Sequence, residues 1–247
     1  MKEKMQMKKI LLYSGGMDSW LMNKLWNPDI LVYVNLHGRY NAQEISHLPK
    51  NCQILDFDLA KYERPDKIIP LRNLFLVMLA TITYTEEKDD EICVLLGSTQ
   101  GDRVLDKAPT FAEKASDLLT YLYQSQWWNP IAKKIKVSVE FKDKTKTELL
   151  KMYLENGGSL EKAWKESFSC YEPDENGNIC YACKPCFRKA CAFYECGFRD
   201  FPKEGKEKLF NYIGSEIIPQ IEAGNYGRGE KEEVNILDFY NWLKENH

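Results

Sequence analysis

The chain has 247 residues, 44% hydrophobic and 29% charged, the composition of an ordinary globular protein with one large α/β domain or a domain and a small appendage. Its 34 basic and 37 acidic residues leave a net charge of −3, which argues against a protein built chiefly around a basic nucleic-acid face. No apolar run is long enough to span a bilayer, and residues 1–9 lack the long apolar core and cleavage site of a signal peptide, so the cytoplasm is the expected compartment.

Residues 9–13 (KILLY) predict a short buried strand that ends at Ser14-Gly15-Gly16. Helical spacing of Trp20, Leu21 and Leu25 predicts a helix over 17–26, so strand, loop and helix follow one another. Residues 30–36 and 53–57 predict the second and third strands, 71–86 a long helix, and 91–97 a fourth strand closed by Gly97. A helix over 111–128 follows, with Trp127 and Trp128 at its end expected in the core. Alternation over 135–141 predicts a fifth strand or sheet edge, and a helix over 147–156 stops at Gly157-Gly158. Residues 160–195 are expected to be irregular until a helix begins near Pro185. Two helical segments follow Gly205, separated by a flexible connector at 224–229. Strands that are nearly continuous apolar runs, alternating with helices, predict a parallel sheet covered on both faces. The expected organisation is a nucleotide-binding α/β domain over 1–160 and a zinc-binding, helical C-terminal region over 161–247.

Ser14-Gly15-Gly16-Met17-Asp18-Ser19 carries specific chemistry. Its glycines let backbone N–H groups approach an anion, and the helix that follows directs its positive end to the same spot. Ser14 and Ser19 add hydroxyl donors, and Asp18 fits such a site as an Mg²⁺ ligand or as an orienter of the loop. The lysine-bearing Walker loop is absent. Farther on, Cys170, Cys180, Cys183 and Cys186 form C-x9-C-x2-C-x2-C. Four thiolates without an open position describe structural zinc, although an iron–sulfur cluster accepts the same donors. Cys191 and Cys196 fall outside this spacing and read as packed thiols.

The loop resembles the SGGxDS pyrophosphate loop of the PP-loop ATP pyrophosphatases, which cleave ATP between its α and β phosphates. Together with the cysteine cluster it resembles the 7-cyano-7-deazaguanine synthase family, from about residue 9 to residue 199. Further resemblance lies in Asn35-Leu36-His37-Gly38-Arg39-Tyr40-Asn41, in Pro70-Leu71-Arg72-Asn73, in 97–102 and in Ser169-Cys170-Tyr171. It implies a HUP-like sheet of the adenine nucleotide α-hydrolase type. It also implies a ligase using ATP, Mg²⁺ and Zn²⁺ to join ammonia to a 7-deazaguanine carboxylate, in a homodimer. Residue by residue, it implies nucleotide binding by Tyr13, Ser14, Gly15, Gly16, Met17, Asp18, Ser19, Trp20 and Leu21. It implies catalytic roles for Asp18, Ser19, Arg72 and Asp102, and substrate contacts from His37, Arg39, Arg72, Asn73, Gly97 and Asp106. Where the family has Asp-Cys-Arg-Pro-Glu-Phe, this chain has Asp106-Lys107-Ala108-Pro109-Thr110-Phe111. That departure leaves open an enzyme that stops at the amide or joins the deazaguanine to another amine, such as a protein N-terminus or a nucleic-acid base. A PP-loop tRNA thiolase is disfavoured, because Cys93 lies inside an apolar strand and the chain is net acidic.

Overall fold

A computed structural model describes residues 7–38, 40–66 and 68–247, and these fall into two compact units. Among the described residues the first comprises those within 7–14, 22–98 and 102–142, apart from 39 and 67; the second comprises 15–21, 99–101 and 143–247.

The first unit is a five-stranded, all-parallel sheet in the order β3-β2-β1-β4-β5, with strands β1 Met7–Leu12, β2 Ile30–Asn35, β3 Cys52–Asp56, β4 Glu91–Leu95 and β5 Lys134–Ser138. The three inner strands are buried almost throughout, which is why they read as continuous apolar runs. β5 keeps its buried–exposed alternation because it is an edge. Helix α1, Met17–Trp26, follows β1 and has the predicted bounds. α2, Asn41–Ser46, is a short helix with no buried residue and so carries no apolar stripe to announce it. α3, Arg72–Tyr84, packs on β1 and β4, and α4, Pro109–Leu122, packs on β5. Their buried side chains Val77, Ala80, Ala112, Ala115 and Leu119 join Ile10, Val32, Ile92, Val94 and Ile135 in one core.

Two expectations fail in this unit. The helix over 111–128 ends at Leu122, and the chain turns back through a bridge between Gln126 and Asn129. Trp127 is therefore 95% exposed and Trp128 51% exposed, rather than in the core.

The second unit contains α5 Lys146–Glu155, α6 Leu160–Glu166, α7 Lys184–Glu195, α8 Lys203–Tyr212, α9 Ile218–Glu222 and α10 Glu230–Asn246, with a π-helical turn at Ile213–Ile217. α6 occupies part of the stretch expected to be irregular. Ser159 caps its start by accepting the Lys162 N–H, and the buried Lys189 ammonium donates to the carbonyls of Trp164 and Ser167 at its end. Trp164 stacks on Phe198 and meets Phe193 and Phe201 edge-on, so a single tryptophan ties α6 into an aromatic core. Phe187, Phe239, Leu209 and Leu243 complete that core with no exposure. Among the described residues no helix is long and apolar enough to cross a membrane.

Candidate active site and metal centre

β1 and β4 are neighbours whose following connections run to opposite sides of the sheet, β2 and β3 lying beyond β1, and β5 beyond β4. In open parallel sheets ligands collect at the carboxyl ends of such a strand pair. Ser14 follows β1 there and Gly97 follows β4. Gly97 has an ordinary backbone angle, and a Cβ built on it would meet nothing within 4 Å. Neither turn geometry nor packing demands a glycine at 97, so the bare backbone faces open space.

The loop itself turns at Gly15, whose φ of 74° favours glycine. Ser19 is buried and its hydroxyl donates to the Gly16 carbonyl at 3.0 Å. Tyr13, Met17, Trp20 and Leu21 are buried as well, and Trp20 meets Tyr153 edge-on at 5.1 Å between centroids. Their side chains anchor the loop, leaving the backbone of 14–19 as its polar surface. Three residues hold it: Lys146 and Phe168, which the sequence reading did not name, and Ser169, which it named only at the entry to the cysteine cluster. Lys146 donates to Asp18 Oδ1 at 2.5 Å, with each side chain about a quarter exposed. Ser169 accepts the Met17 N–H at 3.2 Å, and the Phe168 N–H donates to the Gly15 carbonyl at 3.0 Å. Asp18 is thus held in place by a cation.

Within the sheet unit, Asn73 is buried and its amide donates to the Asp106 carbonyl at 3.4 Å, so helix α3 and the 105–107 turn are joined. Asp102 pairs with Lys107 at 3.3 Å, and Lys142 donates to its carbonyl at 2.6 Å. Arg72 is exposed at the first position of α3, after Leu71 in a left-handed conformation with φ of 60°. Its charge also acts on Glu44, whose pKa burial pushes up while the Tyr33 hydrogen bond and Arg72 pull it down. His37, with φ of 56°, stands 2.7 Å from Asp56 at the ends of β2 and β3. Arg39 lies outside the described residues. Thr110 is exposed on the first turn of α4, and Ala108 caps that turn without a side-chain hydrogen bond.

The Sγ atoms of Cys170, Cys180, Cys183 and Cys186 all lie within 4.8 Å of one another, with Cys180 and Cys186 3.9 Å apart. Four thiolates at a Zn–S distance of about 2.3 Å stand about 3.8 Å apart in a tetrahedron, so the donors fit one ion. Thiolates around a four-iron cluster must spread farther than this set does. Backbone N–H groups point at the sulfurs as at negative charge: Cys180 N–H to Cys170 at 3.3 Å and Ala182 N–H to Cys180 at 3.4 Å. As bare thiols, Cys170 is drawn down by hydrogen bonds from Cys183 and Cys186, while Cys186 is pushed up by its contacts with Cys170 and Cys183. A divalent cation removes that conflict by favouring all four thiolates. The tight C-x2-C turn places Tyr181 at φ of 58°, and Gly205 leaves room for its ring, which a Cβ would approach to 3.0 Å. Asp174 ties the intervening loop by accepting the N–H groups of Asn176 and Asn178. Cys191, fully buried on α7, and Cys196 stand outside the cluster.

A model of the family described as queuosine biosynthesis protein QueC matches residues 42–197, more than half of the chain. The chain belongs to this family. Among curated QueC-like relatives, a protein named 7-cyano-7-deazaguanine synthase from Methanocaldococcus jannaschii is 26% identical, covering 80% of this chain and 99% of its own length. Another of that name from Citrifermentans bemidjiense is 23% identical, covering 79% of this chain and 97% of its own. The QueC match takes in the Arg72-Asn73 segment, Asp102, Asp106 and all four clustered cysteines, and stops before α8.

Proposed function

We propose that the chain is an ATP-dependent carbon–nitrogen ligase that converts 7-carboxy-7-deazaguanine and ammonia to 7-cyano-7-deazaguanine. The observation that carries this reading is the glycine-turned loop after β1, anchored by buried side chains and oriented through Asp18 and Lys146. A carboxylate is a poor acyl donor because oxide is a poor leaving group. Attack of its oxygen on the ATP α-phosphorus forms an acyl adenylate and breaks the α–β bond, releasing pyrophosphate. Ammonia then adds to the acyl carbon, AMP leaves with the carboxylate oxygen, and the surplus proton passes to solvent, leaving the amide. A second ATP adenylates the amide oxygen, and loss of AMP and two protons gives the nitrile.

The N–H groups of Gly15, Gly16, Asp18 and Ser19 with the α1 N-terminus favour the departing pyrophosphate, while the Met17 N–H is held by Ser169, and Lys146 adds positive charge beside them. Mg²⁺ would accompany the phosphates and neutralise their charge, with Asp18 as the loop carboxylate able to hold it. The four cysteines would hold Zn²⁺ in a structural role. His37, Arg39, Arg72, Asn73, Gly97 and Asp106 are the proposed contacts of the deazaguanine, with Asp102 beside them. No cysteine acts as a nucleophile. A homodimer is part of the same reading by family resemblance.

The exposed Thr110 and the uncharged Ala108, where the family carries charge, favour one second reading: the same adenylation, stopped at the amide or directed to another amine. Mass spectrometry of products from 7-carboxy-7-deazaguanine, ATP and ammonia separates the two. A mass loss corresponding to nitrile, with two pyrophosphates per product, supports the first. Amide with one pyrophosphate supports the second. Asp18→Ala is expected to abolish pyrophosphate release in either case, and full activity in that variant would sink the loop assignment.

A further inference from the structure

Residues 224–229 read as a flexible connector in the sequence, and they lie beyond the part of the chain that the family model matches. The structure shows a held segment instead. Tyr226 is 4% exposed and its hydroxyl donates to Glu232 at 2.6 Å. Arg228, with a side chain 10% exposed, pairs with Glu232 at 3.2 Å and donates to the Gln100 carbonyl at 3.3 Å. Its guanidinium lies flat against Gly101, where φ is 86° and a Cβ would come within 2.9 Å of the arginine. Gly101 is therefore required twice, by its backbone angle and by the close arginine. The Gln100 N–H in turn donates to the Lys144 carbonyl at 2.8 Å. Three residues beyond Arg228, Lys231 pairs at 2.5 Å with Glu148, which closes the capping box of α5 with Thr145. The first residue of that helix is Lys146, the partner of Asp18. Lys146, Gln100, Arg188, Arg228 and Glu232 line one small cavity of about 30 Å³, so they surround a common space.

We propose that Arg228 is a positioning residue of the active site: by clamping the Gln100–Gly101 turn, with Lys231 on Glu148, it fixes the start of α5 and so aims Lys146 at Asp18. Arg228 acts through Lys146. The inference rests on the adenylation reading above for its activity readout and on geometry alone for its structural readout. It assigns function to a stretch outside the family-matched residues, and it explains why an arginine and two glycines (Gly227, Gly229) punctuate that stretch.

The test is a double-mutant cycle on the full chain, reading pyrophosphate release at saturating ATP for Arg228→Ala, Lys146→Ala and the pair, with Lys244→Ala on the exposed last turn of α10 as control. Arg228→Ala is expected to lower kcat about tenfold, since small misplacements of a catalytic group are costly. The pair is expected to be no slower than Lys146→Ala alone, because the arginine has nothing left to aim. Arg228→Lys, which keeps one donor for the Gln100 carbonyl, should recover part of the loss. An unchanged kcat in Arg228→Ala, or losses that multiply in the pair, overturns the proposal. If the wild-type chain itself releases no pyrophosphate, the adenylation reading is what fails. Hydrogen exchange then decides the positioning claim: Arg228→Ala should exchange faster over 99–101 and 144–148 while the β1 and β4 amides stay as in wild type. Equal exchange in those segments overturns it.

Discussion

His37 stands in the left-handed region that histidine tolerates better than most side chains, with its main-chain N–H bound to the Asn35 side-chain oxygen at 3.0 Å. Asn35 also donates to Asp56 at 2.8 Å and accepts from Asn41 at 2.9 Å, so three side chains fix one imidazole. The hydrogen bond to Asp56 raises the His37 pKa above its usual 6.5 and lowers that of Asp56. Because the His37 value is raised and the Asp56 value lowered, the pair's contribution to stability is complete between about pH 3.8 and pH 6.5, fades as pH rises through the folded His37 pKa, and is lost as pH falls through the folded Asp56 pKa. In an NMR titration Asp56→Asn should move the His37 midpoint downward; an unmoved midpoint would show that the pair does not form in solution. The resemblance picked out His37 from the sequence but not Asp56, which comes beside it only because β2 and β3 pair with Asn35 opposite Asp56. Lys146 was hidden for the same reason, since 128 residues separate it from Asp18.

At the scale of elements, the start of α5 bears the most on the site. Thr145 accepts the Glu148 N–H at 3.1 Å while Glu148 accepts the Thr145 N–H at 2.8 Å, and Lys231 pairs with the same glutamate. Lys231 and the Thr145 N–H hold the Glu148 pKa down to about 2, against an ordinary 4.5. A depressed carboxylate contributes stability above its unfolded pKa and loses it as pH falls through the folded value. The melting-temperature gap between wild type and Glu148→Gln should therefore be constant above about pH 5 and close toward pH 2. A gap that persists undiminished at pH 2 would refute the pairing. Thr145→Ala should cost about 1 kcal/mol, the usual worth of such a cap. The signal is local, Thr-Lys-Thr-Glu just before an apolar run, but the sequence reading began the helix at 147 and did not name the cap. The exposed tryptophans were not legible, because a turn at 123–129 gives the same apolar letters as one more helical turn. α6 escaped notice because its seven residues span too few turns to show a period, and its carbonyls are closed by Lys189 from α7.

For the molecule as a whole, the question is why a metal knuckle belongs to an ATP-cleaving enzyme. Cys170 is the first ligand of the cluster, and the two residues before it hold the loop: Phe168 through the Gly15 carbonyl and Ser169 through the Met17 N–H. A knuckle that closes on an ion thus fixes the backbone that holds the loop after β1. The C-x9-C-x2-C-x2-C spacing was legible because ligands that share a short stretch must converge, and the parallel sheet was legible because buried strands are apolar runs. The connection between cluster and loop was not, since its partners lie more than 150 residues apart in the chain and one of its two bonds joins main chain to main chain. Through this connection, removing the metal should impair catalysis before it unfolds the sheet. Cys183→Ser is expected to lose the bound ion by elemental analysis and to slow pyrophosphate release at least about tenfold, as misplaced catalytic groups do. Ser169→Ala should keep the ion and still lose activity, whereas Cys191→Ala, on a thiol outside the cluster, should keep both. A metal-free Cys183→Ser chain that stays folded by circular dichroism and turns over at the wild-type rate would separate the knuckle from the loop.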